Sequence, residues 1–366
     1  MKVAVLLRGE TKFIEESSLL FDTLVRKRFP HIDFKIFAHT WNSYTENTIN
    51  KDAIQYSLPV FGTKLRSIDD TLIKLSNVKP NRLYISRASE LLKCCTSIIS
   101  EMYSDTKLNT WLTSYLGDKL RNTNNYLDFL IPPPAGIHSC DVEKLMSLKL
   151  FYYLGQYVSA IHAQNVLLEY IKKEDNTYTP DLIWSTRYDA VHLIGSDTFE
   201  NILNQLTSEN SNPFTPASVI TSNVVIFNNI AWLTDWNFFY KFDNFTKNVV
   251  SPYEIMIEIF KTKKIKLLSH FDNIHLQHSF WTNIFENHHI CAMNKSICFV
   301  PQVLRFTGDF SLIPKILEEH NKDLPDNTTL FQFFETCRKY STVRRTFNVG
   351  IDNETVLNIY NNIMAS

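Results

Sequence analysis

The stretch that most constrains this chain is Thr179-Pro180-Asp181-Leu182-Ile183-Trp184-Ser185-Thr186-Arg187-Tyr188-Asp189. A short apolar run there gives way at once to an arginine and an aspartate two residues apart. An apolar run of that length reads as a buried strand, and the charge after it as the point where the strand leaves the core. In open α/β sheets the carboxyl ends of strands are where ligands collect. The N-terminus repeats the pattern: Val3-Ala4-Val5-Leu6-Leu7 ends in Arg8-Gly9-Glu10-Thr11. Residues 13–29 then carry helical spacing up to Pro30, and Asp33-Phe34-Lys35-Ile36-Phe37-Ala38-His39-Thr40-Trp41 reads as a second strand. Strand, helix and strand in about forty residues make a βαβ unit, which predicts a largely parallel sheet flanked by helices.

Further along, residues 64–140 show helix-like apolar spacing with no clear strand and close in Pro132-Pro133-Pro134-Ala135-Gly136, so they read as a helical insertion. Met146, Leu150, Leu154, Tyr157, Ile161 and Leu168 follow three/four spacing and predict a long helix over 141–173. Residues 197–207, 251–260 and 273–287 read as helices, and 219–220 and 224–227 as strands. Residues 301–366 read as a mostly helical C-terminal extension. The organisation expected is one domain over 1–366, with no internal repeat.

The formal net charge of −1 excludes a wholly basic nucleic-acid binder, while leaving room for a local basic face. The six cysteines form no C-x-x-C pair and read as reduced thiols. The N-terminus starts directly in a strand-like run without the apolar core of a signal peptide, and no apolar run approaches the ~20 residues that span a bilayer. A cytoplasmic protein with no transmembrane segment is expected.

Two places can carry chemistry. Gly9 permits a tight turn, and Arg8 can pair with phosphate or serve as a salt-bridge partner. Neither the dinucleotide fingerprint G-x-G-x-x-G nor the P-loop pattern is present. In the second place, Arg187-x-Asp189 is either a structural pair at a strand end or a site in which Asp189 takes a divalent ion and Arg187 helps hold phosphate. Oxygen ligands suit Mg2+ or Mn2+, which bind through one or two carboxylates together with substrate phosphates. The tract with His270, His275, His278, His288 and His289 lacks a recognised zinc spacing. Lys261-Thr262-Lys263-Lys264-Ile265-Lys266 is the strongest basic run, a solvated face or a dock for an acidic polymer.

Four segments, in this order, resemble a group of nucleotide-sugar glycosyltransferases of bacteria, phages and large viruses: Val3–Gly9; Phe34–Trp41; Gly155-Gln156-Tyr157-Val158-Ser159-Ala160; and Asp181–Asp189, whose Arg-x-Asp stands where Asp-x-Asp is usual. The resemblance covers much of residues 1–190. It implies a Rossmann-like glycosyltransferase type-A fold holding a nucleoside diphosphate sugar, with Arg8, Gly9 and Thr11 lining the nucleotide side and Arg187 and Asp189 at the metal–diphosphate. Leu233-Thr234-Asp235-Trp236-Asn237-Phe238-Phe239 is similar to the family's second acidic segment, where two acidic residues are more usual. Asp235 is accordingly the expected base for the acceptor hydroxyl if the reaction inverts. The implied acceptor is a saccharide, with hydroxymethylated phage DNA as the alternative. A non-catalytic binding module on the same fold is the reading from another class.

Overall fold

Seven strands of the computed structural model form one mixed sheet, and their order explains why the polar ends of the sequence runs meet. The structure describes residues 1–9, 29–42, 78–104, 139–188, 219–221, 224–227, 230–233, 237–244, 248–261, 290–292, 298–299 and 353–365. It also describes Phe21, Arg26, Lys27, Leu72, Leu75, Ser76, His192, Leu193 and Ile202.

In chain order the elements are strands β1 (Lys2–Arg8), β2 (Asp33–Trp41) and β3 (Arg82–Ser86), then helices α1 (Ala88–Ser104) and α2 (Ser139–Lys173). Strands β4 (Leu182–Arg187), β5 (His192–Leu193), β6 (Val219–Thr221), β7 (Val224–Phe227), β8 (Ile230–Leu233) and β9 (Asn237–Lys241) follow. Helix α3 (Pro252–Lys261), strands β10 (Ile290–Ala292) and β11 (Cys298–Phe299) and helix α4 (Asn353–Ala365) complete the set. The large sheet runs β10-β6-β9-β4-β1-β2-β3. Within it β1 is parallel to both β2 and β4, β2 to β3, and β10 to β6, whereas β9 runs against β4 and β6. The fold is therefore α/β with a mixed, mostly parallel sheet, which is compatible with a Rossmann-like fold. Two small antiparallel pairs, β7 with β8 and β5 with β11, stand apart from it.

The alternation read from β1 has a direct structural meaning, because successive side chains of a strand take opposite faces. Val3 and Val5 join Ile36, Ala38, Leu182, Trp184 and Phe239 in one core, together with Phe29 and Ile32. Ala4 and Leu6 join Phe37, Ile183, Phe238 and Tyr240 in a second core on the opposite face. Helix α2 closes that second core with Ala160, Ala163, Val166 and Leu167, whose spacing is that of one helical stripe. Both faces of the central strands are covered, which is why they read as continuous apolar runs rather than alternating ones. Leu150, Leu154, Tyr157, Ile161 and Leu168 are all buried, as their spacing predicts. Helix α4 packs on α1 and α2, where the Tyr360 hydroxyl lies 3.0 Å from Thr96 Oγ1 of α1.

One expectation needs correction. Residues 64–140 are not without a strand, because Arg82–Ser86 forms β3 and extends the sheet beside β2. An edge strand has one neighbour only, so it is less buried than the others, and its polar residues hide it from a search for apolar runs. Strands β8 and β9 were not anticipated either; they overlap the two ends of the segment read as the second acidic motif, and β9 contributes Phe238 and Phe239 to the two cores. The helices expected over 273–287, over 197–207 beyond Ile202, and over 13–29 beyond Phe21, Arg26, Lys27 and Phe29, lie outside the described residues, as does most of 301–366. Among the described residues no helix is long and apolar enough to cross a membrane.

Candidate functional site

The chain runs outward from β1 through β2 to β3, then returns to place β4 on the other side of β1. That reversal makes the carboxyl ends of β1 and β4 the topological switch point, the crevice where open α/β sheets bind ligands. The register puts Arg8 directly beside Arg187 there. The two candidate motifs, almost 180 residues apart in the chain, thus become neighbours in space.

Gly9 ends β1 with φ of +99°, a conformation that side chains other than hydrogen rarely adopt. A Cβ at this position would also run into the side-chain amide of Gln156 on α2. The main-chain N–H of Gly9 donates to Ser159 Oγ at 2.6 Å. Gln156 and Ser159 lie three residues apart on one face of α2, so a single helical turn addresses the turn after β1 from two sides.

Arg8 lies beneath that turn and is fully buried. Its Nε donates to Ser185 Oγ of β4 at 3.1 Å, an Nη donates to Gln156 Oε1 at 3.3 Å, and the guanidinium stands 5.8 Å from the centre of the Phe238 ring. In this arrangement Arg8 braces β1, β4 and α2 together and supplies a fixed positive charge at the crevice floor. Arg187 is half-buried at the end of β4. Tyr188 follows it and is buried in the core of the opposite face, which anchors the chain just past the strand. Thr11, Asp189 and Asp235 lie outside the described residues, as do the five histidines of 270–289 and the basic run beyond Lys261.

Sequence reasoning assigned no role to the buried polar group that lines α2. His39, at the end of β2, places Nδ1 2.6 Å from Ser159 Oγ and Nε2 2.7 Å from Ser86 Oγ of β3. His162, one turn beyond Ser159, stacks on the His39 ring with centroids 4.5 Å apart. Trp41, Tyr84 and Tyr253 close around His162. Burial holds both imidazoles neutral: it lowers His39 well below the ordinary histidine range, with His162 adding to the effect, and brings His162 down to about 4. The only available signal for this group was that His39 and Ser159 fall in the segments that carry the family resemblance.

The donor set suits an anion. At the β1–β4 crevice the described side chains are arginines, amides and hydroxyls, and among the described residues no three acidic, histidine or cysteine side chains gather to hold a metal. Cys94 offers no ready nucleophile, since burial pushes its thiol up to about 11. Comparison with known proteins finds no family model, no curated protein and no solved structure that matches this chain.

Proposed function

We propose that this protein is a glycosyltransferase of type-A fold that moves a sugar from a nucleoside diphosphate sugar to an acceptor hydroxyl. The observation that carries the reading is the switch-point crevice, where Arg8-Gly9 and Arg187-Tyr188 stand side by side and Asp189 follows in the chain. Positive charge fixed before the ligand arrives costs no reorganisation during the reaction, and the group that gains negative charge in sugar transfer is the leaving diphosphate. On this reading Arg187 faces that group, and buried Arg8 stabilises it at longer range while holding the Gly9 turn. A divalent ion on Asp189, Mn2+ or Mg2+, would neutralise the diphosphate further. Asp235 takes the proton of the acceptor hydroxyl if the reaction inverts. A saccharide is the favoured acceptor, because a net charge of −1 gives little general attraction for DNA.

The test is a thermal-shift screen of nucleoside diphosphate sugars with Mn2+, followed by mass spectrometry of glycan and hydroxymethylated DNA acceptors. At least one donor is expected to stabilise the protein and to yield a sugar-sized mass increase on an acceptor. A complete screen with neither stabilisation nor donor hydrolysis overturns the reading.

A further inference from the structure

We infer that His39, acting through Ser159, is a positioning residue that fixes the main chain at Gly9, the turn that borders the switch-point crevice. The inference rests on the glycosyltransferase reading only for the use made of that turn. Ser159 Oγ stands 2.6 Å from the Gly9 nitrogen and 2.6 Å from His39 Nδ1. The Gly9 N–H can only donate, so it occupies one lone pair of the serine oxygen. The serine hydroxyl hydrogen then has His39 Nδ1 as its acceptor. On this assignment Nδ1 is bare and the imidazole proton sits on Nε2, with Ser86 Oγ as its acceptor 2.7 Å away.

All three side chains are buried, with His39 and Ser159 at 0% exposure and Ser86 at 2%. This proton arrangement satisfies the whole chain, from Gly9 N–H through Ser159 and His39 to Ser86. It ties the turn after β1 to α2, β2 and β3 in a single direction. A doubly protonated imidazole would aim a second N–H at Ser159 and leave the serine hydroxyl hydrogen without its acceptor. His162 on α2 stacks on His39 and opposes its charge, and Tyr84 of β3 lies alongside; the carboxylates of Glu90 on α1 and Glu169 on α2 act on Tyr84, Glu169 pairs with Arg82 of β3, and Arg8 ends β1.

The experiment uses the full chain labelled with 15N-histidine and, separately, with 15N-glycine. His39 is expected as the Nε2–H tautomer from pH 8 to pH 5, with the Gly9 amide protected from exchange. An Nδ1–H tautomer, or protonation with a midpoint near the ordinary ~6.5, overturns the inference. Ser159→Ala is expected to abolish the tautomer preference and to speed Gly9 amide exchange by about tenfold or more, and Ser159→Thr to restore both. Unchanged Gly9 protection in Ser159→Ala also overturns it. If that variant does not fold, Ser86→Ala decides, because it leaves the Ser159–His39 contact in place: the Nε2–H tautomer and the Gly9 protection are expected to persist, and a switch to Nδ1–H overturns the inference. A parallel titration of wild type with UDP, GDP and Mn2+ keeps the two readings apart. Failure to bind either nucleotide counts against the glycosyltransferase alone, since the tautomer and exchange readouts need no ligand.

Discussion

Gly9 is the residue whose identity the site depends on most directly. Its φ of +99° and the Gln156 amide packed against it leave no place for a side chain. Gly9→Ala is expected to cost about 1–2 kcal/mol from the left-handed backbone alone, and to weaken donor binding because Gln156 and the turn must both shift. Urea denaturation and calorimetry with the donor read the two effects; an alanine variant of wild-type stability would show that the turn relaxes freely. The buried histidines make a second prediction at this scale. Their folded pKa values lie below the unfolded value of ~6.5, so the unfolded chain binds more protons as pH falls. Their contribution is thus fully present above pH ~6.5 and is lost as pH drops towards 4, at up to about 1.4 kcal/mol per pH unit for each ring. Urea midpoints at pH 7 and pH 5 check the sign, and His162→Phe is expected to flatten the slope. Arg8, Gly9 and Arg187 could be picked out from the sequence because each ends an apolar run. His39 and Ser159 could not, because their partnership spans 120 residues and neither has a distinctive local pattern.

At the scale of elements, α2 is what turns a sheet into a site. It lays Ala160 and Ala163 against the sheet, and those small residues set how near Gln156 and Ser159 come to the turn after β1. Ala163→Leu is expected to overpack this contact and cost about 1–3 kcal/mol, with Gly9 amide protection falling in parallel. Loss of stability without any change at Gly9 would separate helix seating from the turn. The strands β1, β2 and β4 and the helix α2 were legible because they are apolar on a fixed period and buried. Strand β3 was not, since Arg82-Leu83-Tyr84-Ile85-Ser86 is an edge strand whose Tyr84 is 45% exposed, so no apolar run marks it. Strand β9 escaped because Phe238 and Phe239 face opposite cores, and two adjacent aromatics suggest no alternation.

For the molecule as a whole, the proposed activity divides labour between donor and acceptor. Asp189→Ala is expected to abolish transfer and metal-dependent donor binding while leaving the circular dichroism spectrum intact. Asp235→Asn is expected to spare donor binding and cut transfer, because an amide cannot take the hydroxyl proton. Equal loss of donor affinity in both variants would place Asp235 at the donor and remove that division. Replacing Lys261, Lys263, Lys264 and Lys266 with glutamine distinguishes the acceptors. Binding of a DNA acceptor should weaken and its salt dependence flatten, whereas binding of a neutral saccharide should not change.

The sequence by itself determined the α/β class, the strands that carry Arg8 and Arg187, and the long helix between them, because burial on both faces and helical period are local properties of a chain. Tertiary structure alone decided the strand order that places Arg8 beside Arg187. It also decided the reversal of β9 and the meeting of Gly9, Ser159, His39 and Ser86 around one set of hydrogen bonds. Those contacts join distant parts of the chain, and each buried donor there is satisfied only once the sheet and α2 have brought its acceptor within reach.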